Sequence, residues 1–140
     1  MNLETKNEVS AWMRKAQGDY DAAVLLEKAV PPQLDIAIYH CHQSAEKAIK
    51  AWLVACELPF PKTHDLERLL ELANTHSSTL TNLQEAMRIL TPYATEFRYP
   101  GDMMAPEDSD VTEAILLAGD VLTSIHRIIQ NELSDICEHD

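Results

Sequence analysis

A chain of 140 residues is one domain's worth of polypeptide, long enough to bury a single core and too short for two. Lys and Arg number 11 against 23 Asp and Glu, a net charge of -12 with neutral His, which argues against a protein that coats DNA or RNA nonspecifically through cationic side chains. Hydrophobic residues make up 46% of the chain, too many for a disordered tail, and no apolar run approaches the ~20 residues needed to cross a bilayer.

The acidic balance leaves room for a local basic pocket. The opening Met1-Asn2-Leu3-Glu4-Thr5-Lys6 lacks the apolar core of a secretory leader. Cys41, Cys56 and Cys137 cannot all pair internally and none belongs to a CxxC, so reduced, buried thiols in a cytoplasmic protein are expected. One small acidic domain spanning 1–140, with no membrane segment, is the reading.

Prolines at 31, 32, 59, 61, 92, 100 and 106 and only three glycines cut the chain into long uninterrupted stretches rich in Ala, Leu and Glu, which favour helix. In the first, Val9, Trp12, Met13, Ala16, Tyr20, Ala23 and Leu26 recur every three to four residues, and Pro31-Pro32 ends the helix. The second runs from about Gln33 to Glu57, with Ile38, Cys41, Ala45, Ala48, Ile49, Trp52, Leu53 and Cys56 on its apolar stripe. A third helix is predicted from the N-cap Asp65, carrying Leu66, Leu69, Leu70 and Leu72. Thr81-Asn82-Leu83-Gln84 fits a capping box opening a fourth, which holds Leu83, Met87 and Leu90 and is kinked or restarted at Pro92. Arg98-Tyr99-Pro100-Gly101-Asp102 reads as a loop, and a second capping box, Asp110-Val111-Thr112-Glu113, opens the longest helix. No strand alternation and no internal repeat is visible. The expected architecture is all-α, an up-and-down antiparallel bundle of four to five helices.

At ~100° per residue, Tyr39, Gln43, Glu46 and Lys50 share one face of the second helix away from its apolar stripe, with His42 on the border. An aromatic hydroxyl, an amide, a carboxylate and an ammonium grouped over three turns can hydrogen-bond a polar ligand or bridge a subunit boundary. The plainer alternative is a solvated helix face carrying the i,i+4 pair Glu46–Lys50.

The stretch from Tyr39 to Leu53 (Tyr-His-Cys-His-Gln-Ser-Ala-Glu-Lys-Ala-Ile-Lys-Ala-Trp-Leu) resembles the signature helix of HEPN domains, the higher eukaryotes and prokaryotes nucleotide-binding family. Pro61-Lys62-Thr63-His64-Asp65-Leu66, Arg98-Tyr99-Pro100 and the opening Trp12, Ala16, Asp19, Tyr20, Ala22 and Ala23 resemble that family's other segments, in the same order. The resemblance implies a dimerising helical bundle with a cleft near Tyr39, Gln43, Glu46 and Lys50, approached by His64 and Arg98-Tyr99. In such a site Lys50 and Arg98 would pair with phosphate oxygens, Tyr39 or Tyr99 would stack on a base, and Glu46 would accept from a ribose or hold Lys50. The competing expectation is that these groups pair with one another and only fix helix packing.

Many members of the family are metal-independent RNases with an arginine, four to six intervening residues and then a histidine. The arginine holds the scissile phosphate and the histidine moves the proton. None of residues 102–105 after Arg98 is histidine, and Arg68 and His76 are separated by seven residues in a leucine-patterned segment. No catalytic residue is therefore assigned, although His64 could bring an imidazole from elsewhere. A metal site is not expected: neighbours in His40-Cys41-His42 point ~100° apart on a helix, and His42 with Glu46 makes half a site at most. Glu138-His139-Asp140 is a terminal run without a partner motif, and no glycine-rich phosphate loop exists, so no cofactor is expected.

The resemblance further implies a homodimer and a minimal nucleotidyltransferase partner in a toxin–antitoxin-like pair. The chain would then be a noncatalytic module presenting a nucleotide or RNA end. An RNase toxin with a degenerate site, or a bare dimerisation domain, are the alternatives. In the last helix Ile115, Leu116, Leu117 and Ala118 wrap beyond one stripe, which is read as central burial in preference to an extra interface.

Overall fold

The computed structural model describes residues 1–101 and 104–139, with side chains as far as 133. Among them there is no strand: helices α1 (Leu3–Lys28), α2 (Leu34–Ala55), α3 (Leu66–His76), α4 (Gln84–Leu90) and α5 (Asp108–His139) are joined by short 3-10 turns at Ser78–Leu83 and Thr91–Ala94. The all-α bundle expected from the periodicity is the observed fold. Asn2 caps α1 by accepting from the Thr5 N–H at 2.8 Å, and Asp65 caps α3 by accepting from the Glu67 and Arg68 N–H groups.

The register of α1 on α2 is antiparallel. Ala16 takes a hydrogen bond from Ser44, Asp19 meets His40 and Lys47, and Trp12 lies beside Lys50. The α1–α5 pair is antiparallel as well, with Glu27 accepting from Thr112 and Tyr20 against Gly119. The central element is α2, whose Ile38, Cys41, Ala45, Ala48, Ile49, Trp52 and Leu53 are all buried. Around it pack Leu66, Leu69 and Leu70 of α3, Met87 and Leu90 of α4, and Val111, Ala118, Val121 and Ile125 of α5. Each fully buried Leu or Ile contributes about 1.5–3 kcal/mol of transfer free energy.

Four local expectations are corrected. The chain becomes helical at Ser78, three residues before Thr81, because Ser77 accepts from the Thr79 N–H; α4 then starts at Gln84 with no side-chain cap. Helix α5 starts at Asp108, not Asp110: Asp110 reaches back to accept from the Glu107 N–H at 2.9 Å, the returning half of a capping box with Glu107 in the leading place. Cys41 is buried as expected, whereas Cys56, at the last turn of α2, is only half-buried. Leu116 is 66% exposed, whereas Ala118 is buried and Ile115 and Leu117 pack partly buried against the core, so the apolar wrap of α5 is buried on all but its Leu116 side. Asp102, the side chain of Cys137 and the Glu138-His139-Asp140 side chains lie outside the described residues.

Candidate functional site

The polar face of α2 is not a solvated face. Glu46 is only 5% exposed, because residues 57–64 turn back along α2 and lay Phe60 and His64 over its last turns. Its two carboxylate oxygens are divided between two cation-capable groups: Oε2 accepts from Lys50 Nζ at 3.2 Å and Oε1 from His64 Nδ1 at 2.8 Å. A buried carboxylate is tolerable only when paired and hydrogen-bonded, and here it is both. Lys50 is itself 12% exposed at the side chain and runs between the Trp12 and Phe60 rings, 5.8 and 5.7 Å from their centroids. Its charge is spent on Glu46 and on these rings.

His42 ties the returning segment down. Its Nε2–H donates to the His64 carbonyl at 2.8 Å, and its Nδ1 accepts from the Gln43 amide at 3.3 Å, which fixes a neutral tautomer. Burial holds His42 below the ordinary histidine range, against the opposing pull of the His64 carbonyl and the Glu46 carboxylate. The consequence is an exposed imidazole on a fixed backbone: the His64 side chain is 69% exposed, its Nδ1 is occupied by Glu46, and its Nε2 has no hydrogen-bond partner among the described residues. Sequence spacing put His42 only on the border of the stripe; a bond to a distant backbone carbonyl leaves no side-chain signature.

Arg98 belongs to a second group. Its Cζ lies 4.0 Å from the Tyr39 ring centroid and 5.8 Å from that of Tyr99, and one guanidinium nitrogen donates to the Ala94 carbonyl at 3.1 Å. It makes no ion pair among the described residues. Phe97, whose ring stacks on Tyr93 with centroids 6.1 Å apart, has a left-handed backbone at φ 69, and that turn carries Arg98 back onto Tyr39. A bulky residue in this conformation is costly by about 1–2 kcal/mol, so the turn is held by its packing.

The expected single cleft therefore resolves into two neighbouring groups along α2. Tyr39, Arg98 and Tyr99 form one; Gln43, Glu46, Lys50 and His64, with His42 behind them, form the other. Lys50 is eleven residues beyond Tyr39, about 16 Å along the helix axis, and it contacts Glu46, Trp12 and Phe60 while Arg98 contacts Tyr39, Tyr99 and the Ala94 carbonyl. On the adjoining face Asp19 receives His40 Nδ1 at 2.8 Å and Lys47 Nζ at 2.6 Å. His40 and His42 thus serve different partners and do not converge. Both α2 thiols are pushed up to about 12, Cys41 by burial and then Glu27, Cys56 by burial and then Glu132, which leaves neither as a nucleophile.

Among the described residues no helix is long and apolar enough to cross a membrane. The fold is similar to two solved structures. TT1696 from Thermus thermophilus superposes with a TM-score of 0.74 at 22% identity, over 86% of this chain and 98% of that one. The archaeal HEPN homologue ST0689 gives a TM-score of 0.69 at 22% identity, over 87% of this chain and 98% of that one. No curated protein matches. The family model described as HEPN domain matches residues 9–128 and so takes in α2, most of α1, the Glu46–His64 pair and Arg98. This chain belongs to the HEPN domain family of nucleotide-binding and RNase-like modules.

Proposed function

We propose that this HEPN domain is a binding module for a nucleotide or an RNA end, with Arg98 as its phosphate contact. One observation carries the reading: in a chain of net charge -12, Arg98 is braced by the Tyr39 ring and the Ala94 carbonyl with no carboxylate on it among the described residues. A guanidinium held this way keeps most of its donors for a bidentate oxyanion and loses little freedom on binding. Tyr99, 58% exposed beside it, offers a stacking surface. Titration calorimetry with nucleoside mono- and triphosphates tests this: Arg98→Ala weakens binding by about 1.5–3 kcal/mol, and absence of heat from the wild-type chain overturns the reading. Lys50→Ala changes affinity less, since Lys50 is engaged with Glu46.

In this reading the module works in the cytoplasm as a homodimer beside a minimal nucleotidyltransferase, in a toxin–antitoxin-like pair. The family resemblance supports both the pairing and the homodimer, and the acidic surface suits a basic partner better than free RNA. Sedimentation that shows only monomer at micromolar concentration refutes the dimer.

A second reading, a metal-independent RNase, is favoured by one observation only: the exposed His64 imidazole oriented by buried Glu46, the arrangement of a general base with its orienting carboxylate. Incubation of RNA with the chain in chelator, beside His64→Ala, decides it; an unchanged RNA ladder at high protein concentration removes it.

A further inference from the structure

An open cavity of about 510 Å³ is walled by Leu34 and Asp35 in the first turn of α2 and by Phe97, Tyr99, Met104 and Pro106. The volume is of the size that takes a small-molecule ligand, and Phe97 and Tyr99 give it aromatic walls on which a heteroaromatic ring can lie. Asp35 is the charged residue among the described lining residues, and it makes no side-chain hydrogen bond or ion pair among the described residues. Arg98 adjoins the cavity through Tyr99, whose ring lines it and stands 5.8 Å from the guanidinium. The cavity thus has an acceptor in its lining, Asp35, and a cation beside one of its lining residues, Tyr99.

We propose that this cavity is a guanine pocket, with the base against the aromatic walls, Asp35 on its Watson–Crick edge and the phosphate on Arg98. The inference rests on the reading of Arg98 as the phosphate contact. A carboxylate only accepts, on two oxygens side by side. Guanine answers it with two adjacent donors, N1–H and the N2 amine. Adenine sets the N1 lone pair next to its amine, cytosine sets N3 next to its own, and uracil flanks one N–H with carbonyls, so each of these puts an acceptor against the carboxylate. The second bond is what discriminates: guanine alone makes the paired contact to both oxygens, whereas an acceptor set against the carboxylate forfeits a bond and adds a repulsion. Free guanine nucleotide and a guanosine in single-stranded RNA present the same edge.

Titration calorimetry on the full chain tests this with GMP, AMP and inosine monophosphate. A parallel arm uses two short single-stranded RNAs that differ only in one guanosine or adenosine. GMP is expected to bind at least ~10-fold more tightly than AMP, with inosine monophosphate between them because it lacks the N2 amine. Asp35→Asn, which keeps shape and exposes one donor, is expected to bring the GMP to AMP ratio to about one while α2 still melts as in the wild type. The guanine preference appearing in the nucleotide arm, the RNA arm or both supports the pocket and names its source. Equal affinity for GMP and AMP in the wild type, or a preference that survives in Asp35→Asn, overturns the guanine pocket and leaves Arg98 as a phosphate contact standing. Binding of neither nucleotide nor RNA overturns both. Should Asp35→Asn not fold, the comparison of GMP with inosine monophosphate on the wild type decides alone.

Discussion

Nδ1 of His64 stands 2.8 Å from Oε1 of Glu46, joining an exposed imidazole to a carboxylate that is almost wholly inside the protein. The other oxygen of the same carboxylate holds Lys50 at 3.2 Å. Through this one side chain the segment before α3 is tied to α2.

Removing Glu46 should be expensive. Glu46→Ala leaves the Lys50 ammonium with little water and no counter-charge, and breaking a pair this enclosed costs about 3 kcal/mol. The His64 arm, largely exposed, adds little. Glu46→Gln keeps one acceptor oxygen, for Lys50, and turns its amide N–H toward His64 Nδ1, which can accept it in the other tautomer; the loss of charge costs about 1–2 kcal/mol. Urea unfolding measures both, and a neutral Glu46→Ala would mean that solvent reaches the pair freely.

His42 gives the fold a dependence on pH. Its folded-state pKa lies below the ordinary 6.5 through burial, so the unfolded chain binds its proton first and the neutral ring favours the native state. That contribution is fully present above pH 6.5 and is lost as pH falls through the folded value. His42→Gln retains a donor for the His64 carbonyl and removes the titration. The wild type should therefore lose more stability than His42→Gln between about pH 7.5 and about pH 5 in parallel urea curves. Identical slopes would show that His42 does not titrate differently on folding.

Much of this architecture can be read from residue spacing, and the failures have local causes. The boundaries of α1 and α2 follow from Pro31-Pro32 and Pro59, and α3 begins where Asp65 caps it. Around α4 two hydroxyl caps compete, Ser77 and Thr81, and the earlier one wins because its 3-10 turn buries Leu80 and Leu83. The grouping of Tyr39, Gln43, Glu46 and Lys50 on one face is a property of helical spacing alone. Their burial is not, because it depends on where residues 57–64 return. Nor does local pattern show that Arg98 crosses to Tyr39, fifty-nine positions earlier in the chain, or that His42 seeks a carbonyl instead of a side chain.

The thiols on α2 should be silent in the native protein. Cys41 is fully buried, and both Cys41 and Cys56 are pushed up to about 12, so hardly any thiolate exists near neutral pH. In a Cys137→Ser background an aromatic disulfide reagent should label neither before urea is added and both afterwards. Rapid labelling of Cys56 under native conditions would mean that its half-buried thiol is not held above the ordinary cysteine range.

Phe97 separates backbone strain from packing. Its ring stacks on Tyr93 and lines the cavity, and its φ of 69 favours glycine. Phe97→Ala and Phe97→Gly both remove the ring, but only glycine occupies the left-handed region without a Cβ clash. Elsewhere in a fold glycine is the more destabilising of the two because of its backbone entropy; here Phe97→Gly should be the more stable variant by about 1 kcal/mol in urea unfolding. Both variants lose the support that keeps the turn against Tyr93, so Arg98 is released from Tyr39 and nucleotide affinity falls in each. If alanine proved the more stable of the two, the left-handed turn would not be what delivers Arg98 to its place.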